Sequence, residues 1–277
     1  LHNKTLMKNK ISVILPTYNE AENICTIIEI ISKELDKKNY EIIVVDDNSP
    51  DGTSELVAKL KNIYPNLVLI TRKSDRGLVN SINDGISHAT GNICIWMDAD
   101  LSMSPKMINE IIEKIDNGAD LVIGSRYIEG GGIKGSDHRG HNTPIYTLWK
   151  NLTTSEDSLI STIISKIGNK IIKLILQIDL HDYSSGYFGA RKDILKILGV
   201  EGGIVDYCIS LPYRAFMKGY KIVEIPMLLD TRKFGKSKTS NNFFGILKIA
   251  LQCYTKTIQL KLTIKNERKK QTKDQYE

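Results

Sequence analysis

Two strand-like runs in this chain end in paired carboxylates, the residue type and spacing most able to do chemistry here. The first run is Glu41 to Thr53, EIIVVDDNSPDGT, in which Asp46 and Asp47 follow Ile42, Ile43, Val44 and Val45. Adjacent acids repel one another unless a cation or the donors of a ligand take up their charge. A run apolar on both faces reads as a central parallel strand, and ligands gather at the carboxyl ends of such strands. The second pair is Asp98 and Asp100 in MDADLS, two residues apart after Ile93 to Met97. A strand-end Asp-x-Asp offers hard oxygen ligands to Mg²⁺ or Mn²⁺, which keeps waters and takes its other oxygens from substrate phosphates. Alone, this short pattern is often just a pair of solvated loop acids. Its weight comes from two strands of one sheet ending in acids.

The elements that must position these residues are visible in the hydrophobic pattern. Strand-like runs at Ile11 to Leu15, Tyr40 to Val45, Leu67 to Thr71, Asn92 to Met97 and Asp120 to Gly124 alternate with helix-length segments. That alternation predicts a parallel α/β sheet, doubly wound over residues 11–125. Ile24, Ile27, Ile28, Ile31 and Leu35 share one helical stripe. Helices also fit Ser54 to Asn62, Leu78 to Thr90 and Pro105 to Asn117, the last with Pro105 near its start and Gly118 just past its end. Glu129 to Ser158 is rich in Gly and polar residues without periodicity, which predicts a long mobile loop. Beyond it, Ile160, Ile163, Ile164, Ile167, Ile171, Leu174, Ile175 and Ile178 form an apolar stripe beside Lys166, Lys170 and Lys173, either a core helix or one lying on a membrane interface. Strands are expected at Gly186 to Ala190 and Lys221 to Ile225, with a helix around Ser210 to Lys218. A second amphipathic segment runs from Phe243 to Ile264.

The composition, 41% hydrophobic and 25% charged over 277 residues, is that of a globular protein with a sizeable core. Its net charge of +6 is local: Arg214 to Glu277 holds 15 basic and 5 acidic residues, net +10, and the remainder is −4. A basic end on a mildly acidic body suits an anionic membrane surface or a phosphorylated substrate; the plainer reading is a solvated helix face. No aromatic-rich platform or zinc module accompanies it, so nucleic acid is not expected. Cys25, Cys94, Cys208 and Cys253 lack pair spacing and read as reduced core residues. The five histidines, His138, His141 and His181 among them, have no metal spacing and read as loop or cap residues. No run approaches the roughly 18 to 20 apolar residues that span a bilayer, and LHNKTLMKNK lacks a signal-peptide core. A cytoplasmic location, peripheral on the inner face of the membrane, is the expectation.

The first strand ends in PTYNE. By itself this reads as a turn at Pro16 and a helix cap at Asn19. Together with VDDNSPDGT and MDADLS, the collinear order resembles the family 2 glycosyltransferases, which use nucleotide sugars on the GT-A fold. More narrowly, it resembles the dolichyl-phosphate mannose synthase group of polyprenyl-phosphate sugar transferases. The resemblance covers Ile11 to Thr239 and includes Arg76-Gly77-Leu78, GSRY at Gly124 to Tyr127, SSGYFGARKD at Ser184 to Asp193 and GYKIVEIPMLLDTRKFGKSK. It implies a GT-A catalytic domain over residues 11–240, preceded by a short extension (1–10) and followed by an amphipathic helix and basic tail (241–277). It places the nucleotide against Pro16, Tyr18, Glu20, Asp46, Asp47, Arg76, Asp98 and Ala99. The metal falls to Asp98, Asp100 and Ser102, and the acceptor phosphate to Arg126, Ser165, Arg232 and Lys238. A structural salt bridge is the alternative for Arg126, and a solvated turn for Arg232 to Lys238.

Several departures from the group lie on the acceptor side. Ser210 stands where the group carries Glu and Cys208 where it carries Gln; Lys166 replaces an Arg, while Ser165 and Asn169 remain. On the metal side, Ser102 stands where Gln is frequent. The loop at 129–158 is longer than usual. The implied reaction is inverting transfer of mannose or glucose from a nucleotide sugar, GDP-mannose or UDP-glucose, to a polyprenyl phosphate. Its acceptor is already anionic and needs positioning more than a general base. Asp98, Asp100 and Arg126 are then the catalytic candidates. Transfer to a saccharide or protein hydroxyl would want a base, with Asp206 still available. A non-catalytic nucleotide- or lipid-binding subunit sits poorly with intact acid pairs, and a nicotinamide oxidoreductase is weaker still, because no G-x-G-x-x-G follows the first strand.

Overall fold

The computed structural model describes residues 9–133, 159–203, 206–230 and 243–274. Every apolar run read as a strand pairs into one sheet: β1 (Ile11–Thr17), β2 (Tyr40–Asp46), β3 (Leu67–Thr71), β4 (Ile93–Trp96), β5 (Leu121–Ser125), β7 (Phe188–Arg191) and β8 (Ile222–Pro226), in the order β3-β2-β1-β4-β7-β5-β8. All neighbours are parallel except β7, which runs antiparallel to both β4 and β5. The order reverses between β1 and β4. Ligands of open α/β sheets bind at the carboxyl ends of the strands where the order reverses.

Alternation along the strands divides the core in two. Val13, Leu15, Ile42 and Val44 face α1 (Ile24–Glu34), α2 (Thr53–Leu60) and α4 (Met107–Asp116). Ile14, Ile43, Val45 and Trp96 face the other side, where α3 (Leu78–His88), α5 (Leu159–Leu176), α6 (Lys192–Leu198), α7 (Tyr207–Met217) and α8 (Phe243–Asp274) lie. Helix α1 buries the stripe Ile24, Ile27, Ile28 and Ile31, as its spacing requires. The Phe188 ring stacks on Trp96 with centroids 5.2 Å apart and ties the antiparallel strand to β4.

The helix at 159–176 and the C-terminal helix both join the core by one face. Ile172 and Leu176 are buried, as are Cys253 and Thr257, with Tyr254, Leu260 and Ile264 packed against the same cluster. Lys256 pairs with Asp206, and Lys261 donates to the Ile175 carbonyl. Cys94, Cys208 and Cys253 are buried free thiols, and burial pushes the Cys94 thiol up to about 12. Cys25 is only half-buried, so it is no core residue.

Three features differ from the sequence expectation. The segment read as aperiodic from Glu129 contains β6 (Gly132–Ile133), which pairs in parallel with β9 (Leu228–Leu229); two residues are too few to show a period. Its remainder, 134–158, lies outside the described residues. Helix α6 follows β7 without a separating loop, where SSGYFGARKD had read only as a strand. Helix α1 begins at Ile24, so Asn19 is no cap; it adopts a left-handed turn at φ 59°.

Gly189 in β7 is required by packing. A Cβ there would lie 2.2 Å from Cγ2 of fully buried Ile111, a stiff β-branched contact. Gly189→Ala is expected to lower stability by about 1–3 kcal/mol in urea unfolding, an overpacking cost. Adding Ile111→Ala should cost less than the two single changes summed, because each relieves the other's misfit.

Candidate active site

The loops after β1, β2, β3 and β4 meet at the carboxyl edge, and each contains a non-glycine residue at positive φ: Asn19 (59°), Asn48 (54°), Asp75 (50°) and Leu101 (62°). Such conformations persist only where the surroundings hold them, and they concentrate at functional sites. Leu101 has no local side-chain bond to favour this region, so the turn after Asp100 is held against its own preference.

The first acid pair avoids mutual repulsion because each carboxylate has its own donors. Asp46 has no exposed surface; it accepts from the hydroxyls of Thr17 (2.9 Å), Ser49 (2.6 Å) and Ser54 (2.8 Å) and from the Ser49 N–H (2.9 Å). In this structure Asp46 therefore shapes the NSPDG turn and presents no oxygen to a nucleotide. Asp47, also buried, accepts from Arg72 Nη1 (2.9 Å), Ser81 Oγ (2.8 Å) and the Gly77 N–H (2.7 Å). It fixes the start of α3, and with it the loop bearing exposed Arg76. Arg72 spans Asp47 and Asp84 (2.5 Å to Nε) and is itself buried.

The PTYNE loop is fastened to the turn after β2 by backbone donors. The N–H groups of Asn19, Glu20 and Ala21 bond Ser49 Oγ (2.9 Å), Thr53 Oγ1 (3.0 Å) and Asp51 Oδ2 (2.9 Å). Burial pushes the Asp51 carboxyl up, but its bonds from Thr53 and Ala21 prevail and hold it below the usual range. Tyr18 is exposed at the rim, Pro16 is half-buried and paired with Val45, and Glu20 accepts from Asn23 at the head of α1 (3.0 Å).

At the end of β4, Asp98 is half-buried and Asp100 buried. Oδ1 of Asp100 accepts both the N–H (3.0 Å) and the hydroxyl (2.6 Å) of Ser102. Ser102 thus orients Asp100, and its carbonyl accepts from the Asp230 N–H (2.8 Å), which joins this turn to the chain after β9. Ala99 is buried and could meet a ligand only through its backbone. Gly186 passes beneath: a Cβ there would lie 3.2 Å from Met103 Cε and 3.6 Å from Asp98 Oδ1. Among the described residues no cluster of three or more His, Cys, Asp or Glu could hold a metal. Two strand-end carboxylates still fit Mg²⁺ or Mn²⁺, whose remaining ligands come from phosphate and water.

Arg126 follows β5 and adopts the salt-bridge arrangement. Its Nε and Nη2 make a bidentate pair with Asp182, each 2.8 Å, and its backbone N–H adds a bond of 3.0 Å. Nη2 also reaches Ser184 Oγ (2.6 Å), and the guanidinium lies 5.0 Å from the Tyr127 ring centroid. Burial pushes the Asp182 carboxyl up, yet Arg126 outweighs it and holds Asp182 ionised below the usual range. With Nε and Nη2 engaged, Nη1 is the guanidinium nitrogen left to meet an anion. Ser165 joins this group: its Oγ accepts from Tyr127 Oη (2.8 Å) and lies 3.3 Å from Ser184 Oγ, while Asn169 Nδ2 bonds both the Ser165 carbonyl (2.8 Å) and Ser184 Oγ (3.2 Å). Arg232 and Lys238 lie outside the described residues.

The site thus has two halves, one around Asp47 and Asp98 and one around Arg126, on either side of β7. Three of its organising residues went unmarked in the sequence. Arg72 directly ends β3, the strand-end position that drew attention to the acids. Asp182 precedes Ser184 by two, and Glu224 is the one charge in the strand IVEIP; a charge among apolar strand residues signals a buried partner.

Comparison with known proteins agrees with this geometry. The chain is 37% identical over 229 residues to a dolichol-phosphate mannosyltransferase of Pyrococcus furiosus, covering 83% of this chain and 59% of that protein. It is 33% identical over 239 residues to a polyprenol monophosphomannose synthase of Mycolicibacterium smegmatis, covering 83% of this chain and 81% of that one. Among solved structures, a glucosyl-3-phosphoglycerate synthase of Mycobacterium tuberculosis bound to Mn²⁺, UDP and phosphoglyceric acid matches with TM-score 0.62 at 16% identity, over 91% of this chain and 78% of that one. A mannosyltransferase of Pyrobaculum calidifontis bound to GDP-mannose and Mn²⁺ matches with TM-score 0.53 at 20% identity, over 84% and 59%. These likenesses establish the GT-A fold, with its mostly parallel sheet. The family model described as glycosyl transferase family 2 matches residues 12–199, and the chain belongs to that family.

Proposed function

We propose that this chain transfers mannose from a nucleotide sugar, GDP-mannose in the first instance, to a polyprenyl phosphate, with inversion at the anomeric carbon. The observation that carries this reading is the divided site at the carboxyl edge of the sheet, in a chain 37% and 33% identical to relatives named for that synthesis. An acceptor phosphate oxygen attacks the anomeric carbon as the bond to the nucleoside diphosphate breaks. No proton need leave the acceptor, which suits a site whose acceptor half offers Arg126 and hydroxyls. Asp98 and Asp100 would hold Mg²⁺ or Mn²⁺, which when bound neutralises charge on the leaving diphosphate. Asp47 and Arg72 set the loop that presents Arg76 toward the donor. Because the guanidinium of Arg126 is balanced by Asp182, further positive charge must come from Arg232 and Lys238 to bring two anions together.

The acceptor's lipid tail calls for a membrane surface, and two packed helices offer one. Outward of the core, α5 exposes Ile167 and Leu174, and α8 exposes Leu251, Ile258 and Leu262. Exposed Lys166, Lys170 and Lys265 flank them, and the basic residues to 273 continue the charge. Among the described residues no helix is long and apolar enough to cross a membrane. We infer peripheral docking on the anionic cytoplasmic leaflet through this face.

The test is incubation with a panel of nucleotide sugars and a short polyprenyl phosphate, with product masses measured. Mass gain of one hexose on the lipid phosphate is expected; transfer to hydroxyl acceptors alone would sink the proposal. Asp100→Asn should reduce the rate by about 10²- to 10³-fold, the loss typical when charge stabilisation is removed. An unaltered rate at saturating Mn²⁺ would remove Asp100 from the metal site. Combined Leu174→Glu and Leu262→Glu should cut flotation with anionic vesicles while leaving transfer to a water-soluble acceptor in place. Unchanged flotation would exclude this face.

A further inference from the structure

The segment carrying Asp182 and Ser184 is held in an unusual way. Four consecutive N–H groups, from His181 to Ser184, all donate to side-chain oxygens and none to a strand. Those of His181 (3.0 and 3.1 Å) and Asp182 (3.0 Å) go to Glu224, that of Tyr183 to Asn169 (2.5 Å), and that of Ser184 to Asp182 (3.1 Å). Glu224 also accepts from His181 Nδ1 (2.8 Å), and its side chain is 8% exposed. Backbone placed by side chains moves when those side chains change. By contrast, Glu224 itself is fixed by β8, whose residue 224 pairs with Ile123 of β5, three residues before Arg126.

We propose that Glu224 is a positioning residue for the acceptor phosphate, acting through Asp182 on Arg126. The path is continuous: Glu224 fixes the main chain at Asp182, Asp182 grips three N–H groups of Arg126, and Arg126 and Asn169 meet on Ser184 Oγ. With Nε and Nη2 bonded to Asp182, the direction of the remaining Nη1 is dictated by where Asp182 sits. Glu224 touches neither the end of β4 nor the loops at Asp47. Its influence should therefore fall on one half of the site. A carboxylate is needed because both oxygens face donors; an amide would turn its own N–H groups toward one of them. His181 is flanked by Lys173 (3.3 Å to Nε2) and, through it, Asp179, so Glu224 is the acceptor that holds the imidazole.

This inference rests on the polyprenyl-phosphate reading, and the experiment separates the two. Steady-state kinetics of the full chain with GDP-mannose and a short polyprenyl phosphate are measured for wild type, Glu224→Gln, Arg126→Lys and the double variant. Glu224→Gln is expected to raise the acceptor KM by about 10- to 100-fold, the scale of lost charged hydrogen bonds and sub-ångström misplacement, with the donor KM unchanged. On the Arg126→Lys background the same change should raise it less than about twofold, since Glu224 acts through the guanidinium fork. Should Glu224→Gln fail to fold, His181→Gln, which keeps the backbone N–H and removes the imidazole's bonds to Glu224 and Lys173, should show the same split at about two- to threefold. Equal rises in donor and acceptor KM, an unchanged acceptor KM, or additivity in the cycle would overturn the role of Glu224. Absence of lipid product from the wild type would overturn the functional reading and this inference with it.

Discussion

A carboxylate at the buried end of a strand must be met by donors or remain protonated, and this necessity organises the site. Asp46, Asp47, Asp100 and Asp182 are all buried. Asp46 is reached by Thr17 of β1 as well as by its own turn, Asp47 by Arg72 after β3 and by Ser81 of α3, and Asp182 from the end of β5, while Asp100 is met within its own turn by Ser102. The bonds from Thr17 to Asp46, from Arg72 and Ser81 to Asp47 and from Arg126 to Asp182 therefore fix one segment against another. The desolvation cost of each acid is offset only when those donors are in place. A protein that needs four loops aligned at a sheet edge obtains that alignment by burying anions there.

The same logic gives the two halves different electrostatic characters. In the half around Asp47 and Asp98, Arg72 lies between Asp47 and Asp84, so carboxylates outnumber the buried guanidinium, and Asp98 and Asp100 add two more. A cation is what such an edge attracts. In the half around Arg126, the guanidinium is paired with Asp182, and Glu224 holds the same segment through the N–H groups of His181 and Asp182. That half orders polar groups without accumulating charge. Antiparallel β7 lies between the halves and, through Gly186 before it, approaches Asp98 with bare backbone.

The positions of the acids were legible in the sequence because strand ends are local features: an apolar run stops and an acid follows. Their roles were less legible. Asp46 looked equal to Asp47, but three hydroxyls from Thr17, Ser49 and Ser54 enclose it, and only the pairing of β1 with β2 brings Thr17 beside it. Arg72 went unmarked, since its burial depends on α3, a helix that begins six residues later. The sheet order and the antiparallel course of β7 also lay beyond the pattern, for periodicity carries no information on strand direction. Arg126 stood open between two readings, and the structure supplies the partner, Asp182, that decides its geometry.

The departures from the polyprenyl-phosphate group can now be placed. Ser210 lies in α7 with its hydroxyl on the Glu201 carbonyl (2.8 Å), Cys208 is buried beside Tyr207, and Lys166 is exposed on the face of α5 that carries Ile167. Ser210 and Lys166 stand outside the hydrogen-bonded network of Arg126, Asp182, Ser184, Ser165 and Asn169, and Cys208 meets it only through the charges of Arg126 and Asp182. A residue inside that network has several partners at once, so exchanging it strands donors in a buried place; a residue at its margin has one partner or none. Under the proposed reading, change is thus tolerated where the acceptor's surroundings are met and resisted where its phosphate is held. Differences in lipid preference can then accumulate at such marginal positions without disturbing the group that aligns the reacting anion.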